Sequence, residues 1–294
     1  MLKATFSVLG GDLRQSYLAA YLCNLGQEVT AFAVPALPDS LSYCPYPAIN
    51  LREALAGARL VLCPIPLSRD GETLAVAEPE PAAPGKKQPP AASKPGSGLS
   101  LKKLLDEMSP GQVLVGGAFP KSFALACHRK QISTVDLLQD EDFLRANAAL
   151  TAEGLLAVLL RDTPFSLAGR KTLLLGYGRC GQEITRLLTA FPMKLWVLEE
   201  DKGLLSLAQT RGHLAFALPE PEKATTSDLP KTEASMDFDL VINTVPARVL
   251  SPACLTQLPS CCRLFDIASA PFGFDPETAW TRGLSYVRCP GLPG

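Results

Sequence analysis

Several residues and patterns that would name a chemistry at once are scarce in this chain. Only two of its 294 residues are histidine, His128 and His213. The first ends a predicted helix of the first half and the second precedes a predicted edge strand, so neither is placed as the acid–base group of hydride chemistry. No polybasic block occurs, and 28 Lys and Arg against 29 Asp and Glu leave a net charge of -1. Nucleic acid and anionic membrane surfaces are therefore not expected as partners. No apolar run approaches the roughly 20 residues of a membrane span, and the opening MLKATFSVLGG is too short in apolar residues for a signal peptide. A cytoplasmic protein is expected. Nine cysteines are present but no C-x-x-C: Cys23, Cys44, Cys63, Cys127, Cys180, Cys254 and Cys289 stand alone, and Cys261 adjoins Cys262. That scatter predicts reduced, mostly buried thiols and no metal site.

What the chain does have is a repeated alternation of short apolar runs and helix-like segments. In the first half these are ATFSVLGG, a helix from about Arg14 to Leu25, EVTAFAV, a helix near Leu51 to Ala56, and ARLVLCPIP. A helix near Leu101 to Met108, QVLVGG, a helix near Ser122 to Arg129 and ISTVDLL follow. Apolar runs without polar alternation suit a parallel sheet covered on both faces. A second series of six strands begins with the helix TAEGLLAVLLRD and runs through KTLLLG, KLWVLEE, LAFAL, FDLVINTV, CRLFDIA and LSYVRC. The expectation is an α/β protein of two doubly wound parallel-sheet domains. Residues 1–150 would form a flavodoxin-like domain, with a proline-rich disordered insertion at about 78–98, and 151–294 a Rossmann dinucleotide-binding domain. The polar loop at 219–235 is expected to be mobile.

The stretch TLLLGYGRCGQEITRLL holds the strongest functional signal. Gly176, Gly178 and Gly181 form G-x-G-x-x-G between a predicted strand and a predicted helix. Gly176 would make the tight turn, Gly178 would admit a pyrophosphate to the backbone, and Gly181 would allow the helix to pack closely on the strand. Tyr177, Arg179 and Cys180 fill the loop, and Arg179 could meet the pyrophosphate or be an ordinary exposed arginine. Glu199, 18 residues beyond Gly181, and Glu200 end the next strand. Two readings stand: a carboxylate that accepts from a ribose 2′-OH and so favours NAD over NADP, or a solvated strand end.

Further stretches, taken in order, resemble the A subunit of dipicolinate synthase, whose fold is related to that of D-isomer 2-hydroxyacid dehydrogenases. They are GGDLRQ (10–15), NAALTAEG (147–154), LLGYGRCG (174–181), INTVPA (242–247), DIASAPFGFD (266–275) and CPGLPG (289–294). The resemblance implies an oxidoreductase subunit that makes dipicolinate from a dihydro or hydrated precursor. It would act with a nicotinamide cofactor and the flavoprotein-like B subunit of dipicolinate synthase, in the mother cell of a spore former, and a homo-oligomer is expected.

Site residues follow from the matched stretches. A dicarboxylate needs cationic or N–H anchors, which assigns substrate contacts to Gly11, Asp12 and Arg14, helped by the Gly10 and Gly11 N–H groups. Arg14 also reads as a plain helix-surface arginine. Thr151 would cap the helix entering the second domain, while Glu153 would face the substrate or the helix dipole, and Ser269 would complete the set. Asn243, Thr244, Val245, Pro246, Asp266 and Ala268 would line the nicotinamide side, and substrate would lie between the two domains, with Arg14 opposite Asp266 to Ser269.

The chain also departs from the family pattern. Leu150 replaces a proline, Ala270 an arginine and Phe272 a glycine. Glu199 and Glu200 stand where arginine and serine often bind a 2′-phosphate, which leaves NAD and NADP both open. The family continues into a further helix beyond CPGLPG. The general base is not identified. A 2-hydroxyacid or amino-acid dehydrogenase, or a non-catalytic nucleotide-binding regulatory subunit, are the alternatives; the former ordinarily uses a late histidine, which this chain lacks.

Overall fold

The computed structural model describes residues 5–36, 45–76, 99–218, 237–269, 271–289 and 291–292. The insertion expected at 78–98, the loop at 219–235, Cys44 and Ala270 lie outside them. The chain divides into two compact units, Met1–Phe143 and Leu144–Gly294.

The first unit holds six parallel strands, β1 (Thr5–Leu9), β2 (Glu28–Phe32), β3 (Tyr46–Pro47), β4 (Leu60–Leu62), β5 (Val113–Gly116) and β6 (Ser133–Asp136), in the order β3-β2-β1-β4-β5-β6. Crossovers are made by α1 (Leu13–Asn24), α2 (Leu51–Leu55), α3 (Leu101–Glu107) and α4 (Lys121–Arg129). Without the two-residue β3 the order is that of flavodoxin; with it, the order is 3-2-1-4-5-6. No apolar run marks β3 in the sequence, because Pro47 lacks a donor and is tolerated only at such an edge.

The second unit begins in α5 (Glu141–Asp162) and holds β7 (Lys171–Leu175), β8 (Lys194–Glu199), β9 (Leu214–Ala217), β10 (Leu240–Asn243), β11 (Arg263–Asp266) and β12 (Ser285–Arg288). All pair in parallel, in the order β12-β11-β10-β7-β8-β9. Counted from β7 this is again 3-2-1-4-5-6, the dinucleotide-fold order, with its switch point between β7 and β10. The helices are α6 (Arg179–Leu188), α7 (Lys202–Thr210), α8 (Pro252–Gln257) and α9 (Pro276–Thr281). The protein is thus an α/β fold of two parallel six-stranded sheets with interleaved helices.

Successive strand residues point to opposite faces, so each apolar run feeds two cores. Leu173, Leu175, Trp196, Leu198, Val241 and Leu264 pack on one face. Leu174, Leu195, Val197, Leu240, Ile242 and Phe265 pack on the other, where they meet Ala152, Leu155 and Leu159 of α5.

α5 corrects two expectations. It begins at Glu141 rather than Thr151, with Glu141 and Asp142 as its acidic first turn. Thr151 is therefore no cap: it is buried mid-helix and its hydroxyl donates to the Asn147 carbonyl at 2.7 Å. Glu153 is exposed several turns inside the helix, away from the dipole's positive end. The 22-residue helix is also, by length and composition, apolar enough to cross a membrane. Its charged ends and the isolated Arg145 and Glu153 had concealed that continuity, and its Ala152, Leu155 and Leu159 pack into the core of the second unit.

Candidate functional site

The site is built where β7 runs into α6. Gly176 follows β7 at φ +92, a left-handed conformation that favours glycine. Its N–H donates to the Leu198 carbonyl at 2.8 Å, which fastens the turn to β8. A Cβ at Gly176 would fall 2.4 Å from Thr244 Oγ1 and 2.8 Å from Val245 Cγ2, so the end of β10 is packed directly on the turn. Thr244 is held there by its N–H and hydroxyl, which donate to the Leu175 carbonyl at 3.0 and 2.9 Å.

The three glycines have three different surroundings. A Cβ at Gly181 would lie 2.2 Å from the Gly176 carbonyl oxygen, within the backbone itself. At Gly178 it would meet nothing within 4 Å. Gly178 is also the N-cap of α6, which like α4 behind Pro120 has no side-chain cap, whereas α1, α2, α3, α7, α8 and α9 are capped by Asp12, Asn50, Ser100, Asp201, Ser251 and Asp275. Two glycines are thus demanded by packing, and the third leaves space beside an uncapped helix start. That arrangement fits the pyrophosphate of a dinucleotide.

Glu199 is buried, which removes the solvated reading for it; Glu200 is exposed. The Glu199 carboxylate accepts the Tyr177 N–H at 2.5 Å and the Asp201 N–H at 2.9 Å, so it ties the glycine turn to the end of β8. Charge-assisted bonds of this kind contribute about 1.5–3 kcal/mol each. A carboxylate has about four acceptor positions, so two remain for a ribose hydroxyl. Tyr177 is fully buried beneath the turn, with the His213 ring edge-on to it at 5.6 Å. Gln182 donates to the Tyr177 carbonyl at 3.2 Å and accepts from Arg211 at 3.0 Å. The Cys180 thiol contacts the Thr151 hydroxyl; burial pushes its pKa up, against the opposing pull of Thr151 and Arg179.

A second knot closes the ends of β10, β11 and β12. The buried Asp266 carboxylate accepts from Asn243 Nδ2 at 2.9 Å and the Ala268 N–H at 3.2 Å on one oxygen. Its other oxygen accepts from the Gly273 N–H at 2.7 Å and the Tyr286 hydroxyl at 3.0 Å. All four acceptor positions are taken by the protein, which makes Asp266 the fastening of the 266–273 loop. Asn243 also donates to the Val245 carbonyl and accepts the Val245 N–H, shaping the turn that carries Thr244. Pro246 and Ser269 are exposed beyond this knot, and Ala268 is buried within it.

The sequence reading singled out neither Tyr286 nor Arg288, whose Nε donates to the Tyr286 hydroxyl at 3.3 Å. The signal was their i, i+2 spacing on β12, which puts both on one face.

The first unit corrects the expected anion cradle. The Gly10 and Gly11 N–H groups donate to the Phe32 and Ala75 carbonyls at 3.0 and 2.8 Å. Asp12 and Gln15 form a capping box on α1. Arg14 forks onto Asp12, with Nε and Nη2 at 2.9 and 2.7 Å from its two oxygens. Those hydrogen bonds hold the Asp12 carboxyl below its ordinary pKa. The turn is closed on itself because its own side chains satisfy what a ligand would otherwise satisfy.

Residues 5–83 match a family model described as the N-terminal domain of the dipicolinate synthase A subunit. The dipicolinate synthase A subunit of Bacillus subtilis (strain 168) is 27% identical over 180 residues, a match that takes in 61% of this chain and 56% of the relative's length. The crystal structure of the A subunit from Bacillus halodurans superposes with a TM-score of 0.71 at 22% identity, covering 100% of this chain and 92% of that one. The crystal structure of its Bacillus subtilis counterpart gives 0.70 at 20% identity, covering 100% and 90%. The family model, the curated relative and both solved structures indicate one family, that of the dipicolinate synthase A subunit.

Proposed function

We propose that this chain is the nicotinamide-dependent oxidoreductase subunit of a dipicolinate-forming enzyme, which converts dihydrodipicolinate or its hydrated precursor to pyridine-2,6-dicarboxylate. The observation that carries the reading is the open position at Gly178, between two glycines that packing requires, at the switch point of a 3-2-1-4-5-6 sheet. The resemblance to the dipicolinate synthase A subunit supports the substrate class.

In this reading the Gly176–Gly181 turn and the start of α6 hold the pyrophosphate, and Glu199 takes the adenosine ribose while it anchors Tyr177. Thr244 and Val245, locked against the turn by Asn243, orient the nicotinamide end. A bound nicotinamide would accept the hydride released as the dihydropyridine ring becomes aromatic. A buried carboxylate beside the ribose accepts from a 2′-OH and repels a 2′-phosphate, which favours NAD over NADP. Tighter NADP binding in calorimetry would refute that preference.

Residues 1–150 and 151–294 are proposed as the substrate-side and cofactor domains, with the synthase's B subunit as partner and a cytoplasmic, sporulation setting. Self-association is supported by α1, where Leu13, Tyr17, Leu18 and Tyr21 are exposed, followed by exposed Leu25 just past its end, in a stretch whose residues 15–27 carry no charge. Sedimentation velocity of the purified chain would reveal a monomer if that is wrong.

The decisive experiment mixes the purified chain with NAD or NADP, dihydrodipicolinate and the small flavoprotein-like partner, and follows the absorbance of the pyridine product. Product formation that needs both chain and dinucleotide is expected. Dinucleotide binding without turnover would point to a regulatory role.

A further inference from the structure

We propose that Arg288 is a carboxylate anchor at the end of the second sheet, braced against Phe272 and Tyr286 to receive an acid group of the substrate. The proposal rests on the oxidoreductase reading above. It goes beyond that reading in naming a cation and a subsite.

Arg288 ends β12, beside Asp266 in the register of the sheet. Its guanidinium lies 4.3 Å from the Phe272 ring centroid and 5.3 Å from that of Tyr286. Its Nε donates to the Tyr286 hydroxyl at 3.3 Å. Among the described residues, its two terminal nitrogens have neither a hydrogen-bond acceptor nor a carboxylate. Arg14, Arg52, Arg161, Arg170, Arg186 and Arg248 each face an acidic side chain. Arg288, exposed at the end of β12, therefore has its guanidinium against the Phe272 ring, its Nε on the Tyr286 hydroxyl, and two terminal nitrogens available, and a guanidinium takes a carboxylate through two parallel bonds.

The support behind the fork is itself unusual. Phe272 has φ +68, a conformation that a residue of its size rarely adopts. The loop that imposes it is fastened by the Gly273 N–H to Asp266, and the same Asp266 oxygen accepts from Tyr286. Both rings that flank Arg288 thus hang from one buried carboxylate. Arg288 is itself exposed, and these two rings fix where its guanidinium lies.

Position decides which anion it meets. β12 is three strands from β7 in the sheet, or about 14 Å at the usual strand spacing. A pyrophosphate at the start of α6 is out of reach, so the anion at Arg288 is a separate one. A substrate acid group fits this, on the half of the sheet that also carries Asn243 and the Thr244 turn.

The test is calorimetry on the full chain, with dinucleotide present, using pyridine-2,6-dicarboxylate and pyruvate as probes. Arg288→Ala should weaken binding of whichever acid the wild type takes by roughly 10- to 150-fold, the loss of one charge-assisted contact, with dinucleotide affinity unchanged. Arg288→Lys should recover only part of it. Phe272→Gly removes the ring at a φ that glycine adopts freely, and should cost several-fold; it decides the matter if Arg288→Ala does not fold. Arg288-dependent binding of pyruvate but not of the dicarboxylate would uphold the anchor and overturn the dipicolinate reading. Dicarboxylate binding equal in Arg288→Ala and wild type would overturn the anchor and leave that reading intact. A wild type that binds neither acid overturns the anchor as well.

Discussion

The two units place glycines at the same point of the same topology, after the first strand and before the first helix, and do opposite things with them. In the first, the Gly10 and Gly11 N–H groups go to neighbouring carbonyls, Asp12 and Gln15 close the helix with a capping box, and Arg14 is taken up by Asp12. In the second, α6 starts at Gly178 without a side-chain cap, and a Cβ there would meet nothing. A glycine turn is therefore not in itself an anion site. What decides is whether the chain's own side chains have already answered the helix N-terminus.

Substitution at the glycines should break this contrast most sharply. Gly181→Ala puts a methyl 2.2 Å from a backbone oxygen that cannot swing away, so the second unit should lose about 3 kcal/mol or more. Gly11→Ala drives the Gln15 side chain out of the capping box of α1 and adds the strain of the left-handed backbone, about 1–2 kcal/mol for the backbone alone. Chemical denaturation should rank them in that order; equal losses would mean the second turn is no more tightly packed than the first.

Gly178→Val reverses the pattern. Its Cβ enters open space at an ordinary φ of -61, so stability should hold while dinucleotide affinity falls on the order of 100-fold, or about 2.7 kcal/mol. A folded variant with wild-type affinity would end the pyrophosphate assignment. In the first unit, Asp12→Ala removes the cap of α1 and frees Arg14. It should cost about 1 kcal/mol of stability and leave dinucleotide binding unchanged.

How much of this could be read in the sequence follows from which interactions are local. Apart from β3, the strands of both sheets were legible as β-branched or apolar runs bounded by turn residues, and the glycine motif because its context is contiguous. β3 escaped because two residues with a proline carry no period. The full length of α5 escaped because the helix reads from Thr151, inside the segment that the resemblance places at the entry to the second domain, whereas Glu141, ten residues before Thr151, and Asp142 make the true first turn. The closed state of the first turn was hidden for a different reason: Ala75 and Phe32, which take its N–H groups, are distant in sequence. Arg288 likewise gains meaning only from Phe272 and Asp266, which arrive from another strand.

The smallest expected effect separates the two units by pH. His213 lies edge-on to Tyr177 under the second turn, and burial, with Arg211's charge second, holds its pKa below the ordinary histidine value. An unfolded chain takes up that proton near pH ~6.5, whereas the folded chain refuses it until a lower pH. Below about 6.5 the unfolded state therefore binds more protons, and the second unit loses stability as pH falls until folded His213 is protonated too. In the first unit the shifted groups that titrate in acid are carboxylates, Asp12 among them, with Asp70 and Glu107 held low in the same way. The depressed pKa of Asp12 contributes stability that is fully present above about 3.9 and is lost only as pH falls through the lower folded value. Acid should thus loosen the second unit first. Both tryptophans, Trp196 and Trp280, lie in the second unit, so tryptophan fluorescence reports on it alone. Its melting temperature should fall between pH 7.5 and 5.5 in the wild type and fall less in His213→Gln. An equal fall in both would assign the acid sensitivity of the second turn to another group.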